Sequence, residues 1–254
     1  MNTEVAAGSV AGRTHRRLAR PNQDAVSWTR SARGVVLVVC DGCGGAPRSE
    51  VGAALGARLW SRALTERLDA GAPADAALFE AAGADVISHL SALAAAMAPD
   101  PTAVVIEHFM FTSLAAVITP EVIAVHAIGD GVVALGDTVS VIGPFPENQP
   151  PYLAQALVGS RPAGKTWIAD PREIDRVAIA TDGAGALPCL NALAADVVFR
   201  NPAVLTRKLA LLAEDQVEID WEARRVVRTP ALLDDDTTIA MARWTLPSPR
   251  ETVS

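Results

Sequence analysis

Cysteine, lysine and aromatic residues are all scarce in this sequence. Three cysteines, Cys40, Cys43 and Cys189, occur in 254 residues. That odd and sparse set excludes a disulfide framework and fits a reducing compartment. The C-x-x-C spacing of Cys40 and Cys43 raises zinc, but a structural zinc needs about four ligands and no second Cys/His pair at finger-like spacing follows. Lys165 and Lys208 are the only lysines among 22 basic residues, which face 29 acidic ones for a formal net charge of -7. This balance disfavours nonspecific binding to nucleic acid or anionic membrane. No apolar run approaches the roughly 20 residues of a membrane span. The first residues, MNTEVAAGSVAG, lack the charged and apolar regions of a signal peptide, so cytoplasm is the expected compartment. What is present is apolar side chain, 50% of the residues with a mean hydropathy of +0.24. That suffices for one large core, expected as a single domain over 1–254, its core at about 8–244 with short tails at both ends.

Apolar periodicity places strands at 25–28 and 34–40, the second buried on both faces, then two helices. The first helix starts after Ser49, whose hydroxyl is placed to cap it, and the second covers about 73–97, ending before Pro99 and Pro101. Close-spaced strands then read as an antiparallel meander: TAVVIEHFMF, TSLAAVIT, EVIAVHAIG, VVALG and TVSVIG. Thr119-Pro120-Glu121 and Gly136-Asp137 have hairpin-turn chemistry. GPFPENQPPY (143–152) reads as a surface loop. A strand at 176–181, a mostly helical stretch at 186–214 and a closing strand at 237–244 complete an α+β layered fold.

Aspartates fall at the ends of these strands. Apolar runs lead into Asp41-Gly42, Asp130-Gly131 and Asp182-Gly183; Asp24 precedes the first strand and Asp234-Asp235-Asp236 the last. Any one Asp-Gly is ordinary turn chemistry. Together they are placed to share one cleft, where two carboxylates about 4 Å apart repel by roughly 4 kcal/mol at an effective dielectric of 20. Divalent cations relieve such a cluster, and all-oxygen ligation favours Mg²⁺ or Mn²⁺. A pair of such ions suits phosphoester hydrolysis.

Six segments occur in an order that resembles the metal-dependent (PPM, type-2C) protein phosphatases: RPNQDA (20–25), VVCDGCGG with SEVGA (38–53), TSLAAVI (112–118), AIGDG (127–131), IATDGA (179–184) and DDDTTIAMA (234–242). Gly12-Arg13-Thr14-His15 ahead of Asn22-Gln23-Asp24 is similar to a bacterial branch. The resemblance implies a four-layer α/β/β/α sandwich with two central antiparallel sheets and a binuclear Mn²⁺/Mg²⁺ site at one end. It implies that Asp41 bridges two metals, with the Gly42 carbonyl, Asp182 and Asp235 as further ligands and Asp24 holding a metal-bound water. Asp130 with Asp182 would hold a weaker third ion. The catalytic set so implied is Asp41, Asp182 and Asp24. The activity implied is hydrolysis of phosphoserine and phosphothreonine in proteins by a metal-activated water, opposing a Ser/Thr kinase, by a monomer.

The sequence departs from the family pattern in four places. Cys43 stands where many eukaryotic members carry a histidine acid, and Gln23 replaces the acidic residue before Asp24. Ala19 replaces a phosphate-binding arginine, leaving Arg20 and Arg17, with Arg16 and Arg13 nearby, as substitutes whose guanidinium forks suit phosphate. Phe111 stands near a position commonly glycine. These departures support an alternative, a weak or inactive phosphatase-fold module that binds phosphoproteins or a signalling partner. His15 is expected to make a core or turn hydrogen bond rather than to catalyse, and Cys43 to be a small filler.

Overall fold

The run Val35–Gly42 is apolar at nearly every position because both of its faces are covered. Val36, Val38 and Cys40 pack on helices, while Val35, Leu37 and Val39 pack on a second sheet. That alternation repeats through a computed structural model in which residues 1–160, 162–187, 190–201 and 203–246 are described. Cys189 lies outside them.

The elements are β1 (Asn2–Val10), α1 (Arg13–Leu18), β2 (Asp24–Arg30), β3 (Val35–Gly42), α2 (Ser49–Asp69), α3 (Ala76–Met97), α4 (Pro101–His108), β4 (Phe111–Ile118), β5 (Ile123–Ile128), β6 (Gly131–Leu135) and β7 (Thr138–Ile142). They continue with β8 (Lys165–Ala169), β9 (Arg176–Ala180), α5 (Asp196–Arg200), α6 (Ala203–Leu212), β10 (Gln216–Asp220), β11 (Arg225–Thr229) and β12 (Thr237–Thr245). Two five-stranded antiparallel sheets form, ordered β1-β12-β9-β6-β7 and β2-β3-β4-β5-β8, and β10-β11 is a separate hairpin. Three apolar layers bind four structural ones. One lies between α2, α3, α4 and the β3 sheet, one between the sheets, and one between the β12 sheet and α5, α6. This is the four-layer α/β/β/α sandwich. Among the described residues no single helix is long and apolar enough to cross a membrane.

Several local expectations are corrected. The short tail expected before about residue 8 is instead part of strand β1, paired along its length with β12. Residues 101–108 are helix, not strand. Asp100 accepts from the N–H groups of Thr102 and Ala103, and Pro101 occupies the first turn, so the cap overrides the β-branched run that follows. Ser49 does not cap α2; its hydroxyl bonds the Cys43 carbonyl at 2.9 Å instead. The meander is split between sheets. After β5 the chain crosses to the other sheet at Gly129-Asp130-Gly131, where both glycines have positive φ, 99° and 140°, that a side chain would strain. That crossover delivers Asp130 to the end of the sandwich. Phe111 is fully buried against α2, where a Cβ on Gly56 would stand 2.3 Å from its ring, so a glycine there makes room for it.

Candidate metal centre

The register of the β3 sheet sets Asp24 opposite Asp41 and Asp41 opposite Thr112, so three polar side chains stand side by side at the sheet's end. One residue beyond β9, Asp182 opens a short 3-10 turn, and Asp235 comes two residues before β12; β9 and β12 are neighbours in the other sheet. The strand ends of both sheets thus meet. A cleft of about 240 Å³ is lined by Asp41, Gly42, Asp130, Asp182, Asp235 and Asp236, with His15, Gln23, Cys43, Thr112, Asn148 and Tyr152 on its walls.

Asp24 sits just outside that lining. It is buried, accepts a hydrogen bond from Thr181 Oγ1 at 2.7 Å through Oδ2, and leaves Oδ1 buried without a partner. Burial pushes its carboxyl well above the usual range, and the charges of Asp236 and Asp182 add to the rise. Asp41 is raised in the same way, first by desolvation and then by Asp24 and Asp182. Asp130 is pushed up to about 6 by burial and the Asp182 charge. Asp235, at the exposed rim, is raised first by desolvation.

The three aspartates of the DDD run do three jobs. Asp234 is exposed and bonds Arg13 and Thr14. Asp235 faces the cleft. Asp236 is buried and holds α1 and the start of β2, accepting from the Gly12 N–H at 2.8 Å, the Gln23 N–H at 2.6 Å and His15 Nδ1 at 2.7 Å. His15 therefore makes a structural bond while lining the cleft. Gly12 packs so closely on Asp235 that a Cβ would fall 2.1 Å from its backbone. The Gly12-Arg-Thr-His15 motif thus orients the DDD segment.

The arginines are not brought to the cleft. Arg13 bonds Asp215 at 2.6 Å, Arg16 bonds the Ala213 carbonyl, and Arg17 stands 3.9 Å from Asp215. Arg20 is exposed beside a neighbouring depression formed with Gln23, Gly44 and Glu50. No arginine or lysine lines the cleft among the described residues. Gln23 turns its amide to Ser49 Oγ at 2.7 Å, bracing the loop after Asp41. Cys43 is half-exposed on the cleft wall rather than a buried filler. The sequence did not single out Tyr152 or Asn148, both of which come from the Pro-rich segment read as a plain loop; they line the cleft with Asp41. Their only signal was that Tyr152 is the chain's single tyrosine.

This donor set suits hard divalent cations. The converging carboxylates offer only oxygens, they repel one another where they are buried, and one oxygen of Asp24 has no partner. At Gly42 a Cβ would meet Ser49 Oγ at 2.7 Å, so a side chain would crowd the backbone beside Asp41. Among the described residues no three such groups close on a single point as an all-protein cage. A centre with few protein ligands and several waters is the arrangement Mg²⁺ prefers.

Comparisons with known proteins bear on the fold and the family. No curated protein sequence matches the chain. Among solved structures, the serine/threonine phosphatase Stp1 from Staphylococcus aureus is 16% identical, with 97% of this chain and 96% of that chain covered and a TM-score of 0.61. The Mycobacterium tuberculosis serine/threonine phosphatase PstP/Ppp is 20% identical over 96% of this chain and 99% of that chain, TM-score 0.58. The catalytic domain of PstP, in a complex with two manganese ions, is 20% identical over 95% and 97% of the two chains, TM-score 0.55. These likenesses establish the sandwich. The family model described as protein phosphatase 2C matches residues 11–218, most of the chain, and on that match the chain belongs to the protein phosphatase 2C family of serine/threonine phosphatases.

Proposed function

We propose that this chain removes phosphate from phosphoserine and phosphothreonine in proteins at a binuclear Mn²⁺ or Mg²⁺ centre in the cleft. The observation that carries the reading is the convergence of Asp24, Asp41, Asp130, Asp182 and Asp235 from both sheets on one end of the sandwich. Asp41 would be shared by two ions, with Gly42, Asp182 and Asp235 completing the protein ligands and Asp130 with Asp182 serving a weaker third site. Bound there, such ions supply an activated water as nucleophile and positive charge against the phosphoryl oxygens.

The chain's own residues supply position. Asp24, held by Thr181 and opposite Asp41 in the strand register, keeps an unpaired Oδ1 that would orient water. Thr112 offers a buried hydroxyl with no protein partner beside Asp41. Tyr152 and Cys43 both line the cleft and bound the space open to substrate. No arginine is among the described residues that line the cleft, and Arg20 lines the adjoining depression, which shares Gln23 and Gly44 with it. In the same reading the enzyme acts in the cytoplasm as a monomer, opposing a serine/threonine kinase.

The experiment is phosphate release from a phosphopeptide with Mn²⁺, then with EDTA. Release that stops with EDTA supports the reading. Phosphopeptide binding with no metal-stimulated release would instead favour a binding module, and turnover of small esters alone a small-molecule hydrolase.

A further inference from the structure

The hairpin β10-β11 joins neither large sheet. A two-stranded hairpin alone is marginal in water, and this one is held by polar groups at its two ends rather than by burial. At its base Asp215 accepts from Arg13 Nε at 2.6 Å and from the Ala231 N–H at 3.0 Å, and the Leu233 N–H reaches the Leu212 carbonyl. At its tip Asp220 accepts from the Ala223 N–H at 2.9 Å and from Arg225 Nε at 3.1 Å. The ladder between them stands in solvent.

Its two faces differ. Side chains alternate along a strand, and the register sets Val217 opposite Arg228 and Ile219 opposite Val226. One face therefore carries Val217, Ile219 and Val226, each more than half exposed, and Trp221 follows in the turn at 80% exposure. Glu218, Asp220 and Arg225 belong to the other face. The single charge on the apolar face is Arg228, which makes no side-chain hydrogen bond or ion pair among the described residues. It sits at the base end, where Arg17, largely exposed, stands 3.9 Å from Asp215.

The base is close to the cleft. From Ala231 the chain runs to Asp235 on the cleft wall, a span of at most about 14 Å, and the strands add about 17 Å to the tip. Helix α1 links the two, with Arg13 on the hairpin base and His15 on the cleft wall. Four apolar side chains present on the order of a few hundred Å², short of the roughly 800 Å² per partner of a stable dimer. Such a face suits a ligand already held at a second point, and the point within reach is the cleft.

We propose that the hairpin is a docking arm for the phosphoprotein substrate. It takes an apolar segment that lies about four to nine residues from the phosphorylated residue, with a carboxylate between the two that meets Arg228 and Arg17. An acid there is complementary to these guanidinium groups, and a basic segment is repelled. The proposal rests on the phosphatase reading, which puts a phosphorylated residue in the cleft.

The test uses synthetic phosphothreonine peptides that carry Leu-Ile-Leu about six residues from the phosphothreonine, on one side of it or the other, with one Glu in a Gly-Ser spacer. Their controls replace Leu-Ile-Leu by serines. With Mn²⁺, KM should be at least about fivefold lower for one of the apolar peptides than for its control, with kcat the same. Ile219→Ser should abolish that preference. Arg228→Glu, an exposed change that leaves the apolar face intact, should weaken it several-fold and decides the matter if Ile219→Ser unfolds the hairpin. Saturation-transfer NMR of the unphosphorylated Leu-Ile-Leu peptide on the full, metal-free chain reads the arm by itself: transfer to its methyl groups that Ile219→Ser loses supports the docking surface even where no peptide is hydrolysed, which separates the failure of this proposal from that of the phosphatase reading. Equal KM for apolar and serine peptides, no transfer in the wild type, or undiminished binding in both variants would overturn the proposal. So would a wild-type dimer in sedimentation that Ile219→Ser splits, because a second copy then covers the face.

Discussion

Asp130→Asn should make the metal-free protein more stable at pH 7, although it removes a carboxylate from the proposed centre. Asp130 is 7% exposed, and its pKa rises from 3.8 to about 6. At about 1.36 kcal/mol for each tenfold in proton affinity, that rise amounts to roughly 3 kcal/mol. The sign follows from the direction. A folded-state pKa above the unfolded one means that the folded chain holds the proton longer, so no penalty exists below about pH 4. The penalty then grows as pH rises and is complete above about pH 6. Asparagine carries no charge and escapes it. Thermal unfolding of wild type and variant in EDTA should therefore coincide at pH 4 and diverge by roughly 5–10 °C at pH 7, the variant being higher. Because the two proteins share every other titrating group, their difference isolates this one. Saturating Mn²⁺ should raise the wild type more than the variant. Equal midpoints at pH 7, or a wild type that gains on the variant between pH 4 and 6, would refute the picture of uncompensated buried carboxylates.

Asp236→Ala leaves the N–H groups of Gly12 and Gln23 and the His15 ring without their acceptor; urea unfolding should show a loss of about 3–5 kcal/mol, the cost of breaking a buried charged network. Gly56→Ala drives a methyl into the Phe111 ring and should destabilise by roughly 1–3 kcal/mol, with much of the loss recovered in the Gly56→Ala, Phe111→Leu double variant, as a double-mutant cycle would show. Asp100→Ala removes the acceptor for two orphan N–H groups of α4 and should cost about 1 kcal/mol in the same assay.

The central strands were readable because they are covered on both faces, which writes them as continuous apolar runs. Residues buried on neither face or on mixed faces wrote no such signal. The hairpin β10-β11 is exposed along nearly its whole ladder, so its sequence carries no alternation to read. Strand β1 mixes glycine, alanine and serine and looks like a tail until β12 pairs with it. At α4 the β-branched Val104-Val105-Ile106 outweighed a cap, Asp100-Pro101, that was plain in the sequence. The aspartates were legible because a strand end fixes where a carboxylate goes. The arginines were not, because their partners Asp215 and Glu214 lie about 200 residues away in sequence. Nor could three consecutive aspartates be sorted into a surface pair, a cleft group and a buried anchor without the close approach of Gly12.

The most direct test of the central claim is the rate of phosphate release from a phosphopeptide with Mn²⁺, compared between wild type and Asp41→Asn. Asp41 is the carboxylate that stands between Asp24 and Thr112 and lines the cleft with Asp130, Asp182 and Asp235. Its loss should lower turnover by at least about a hundredfold, the equivalent of several kcal/mol of transition-state stabilisation, with the fold retained by circular dichroism. Turnover in Asp41→Asn equal to that of the wild type would contradict the account.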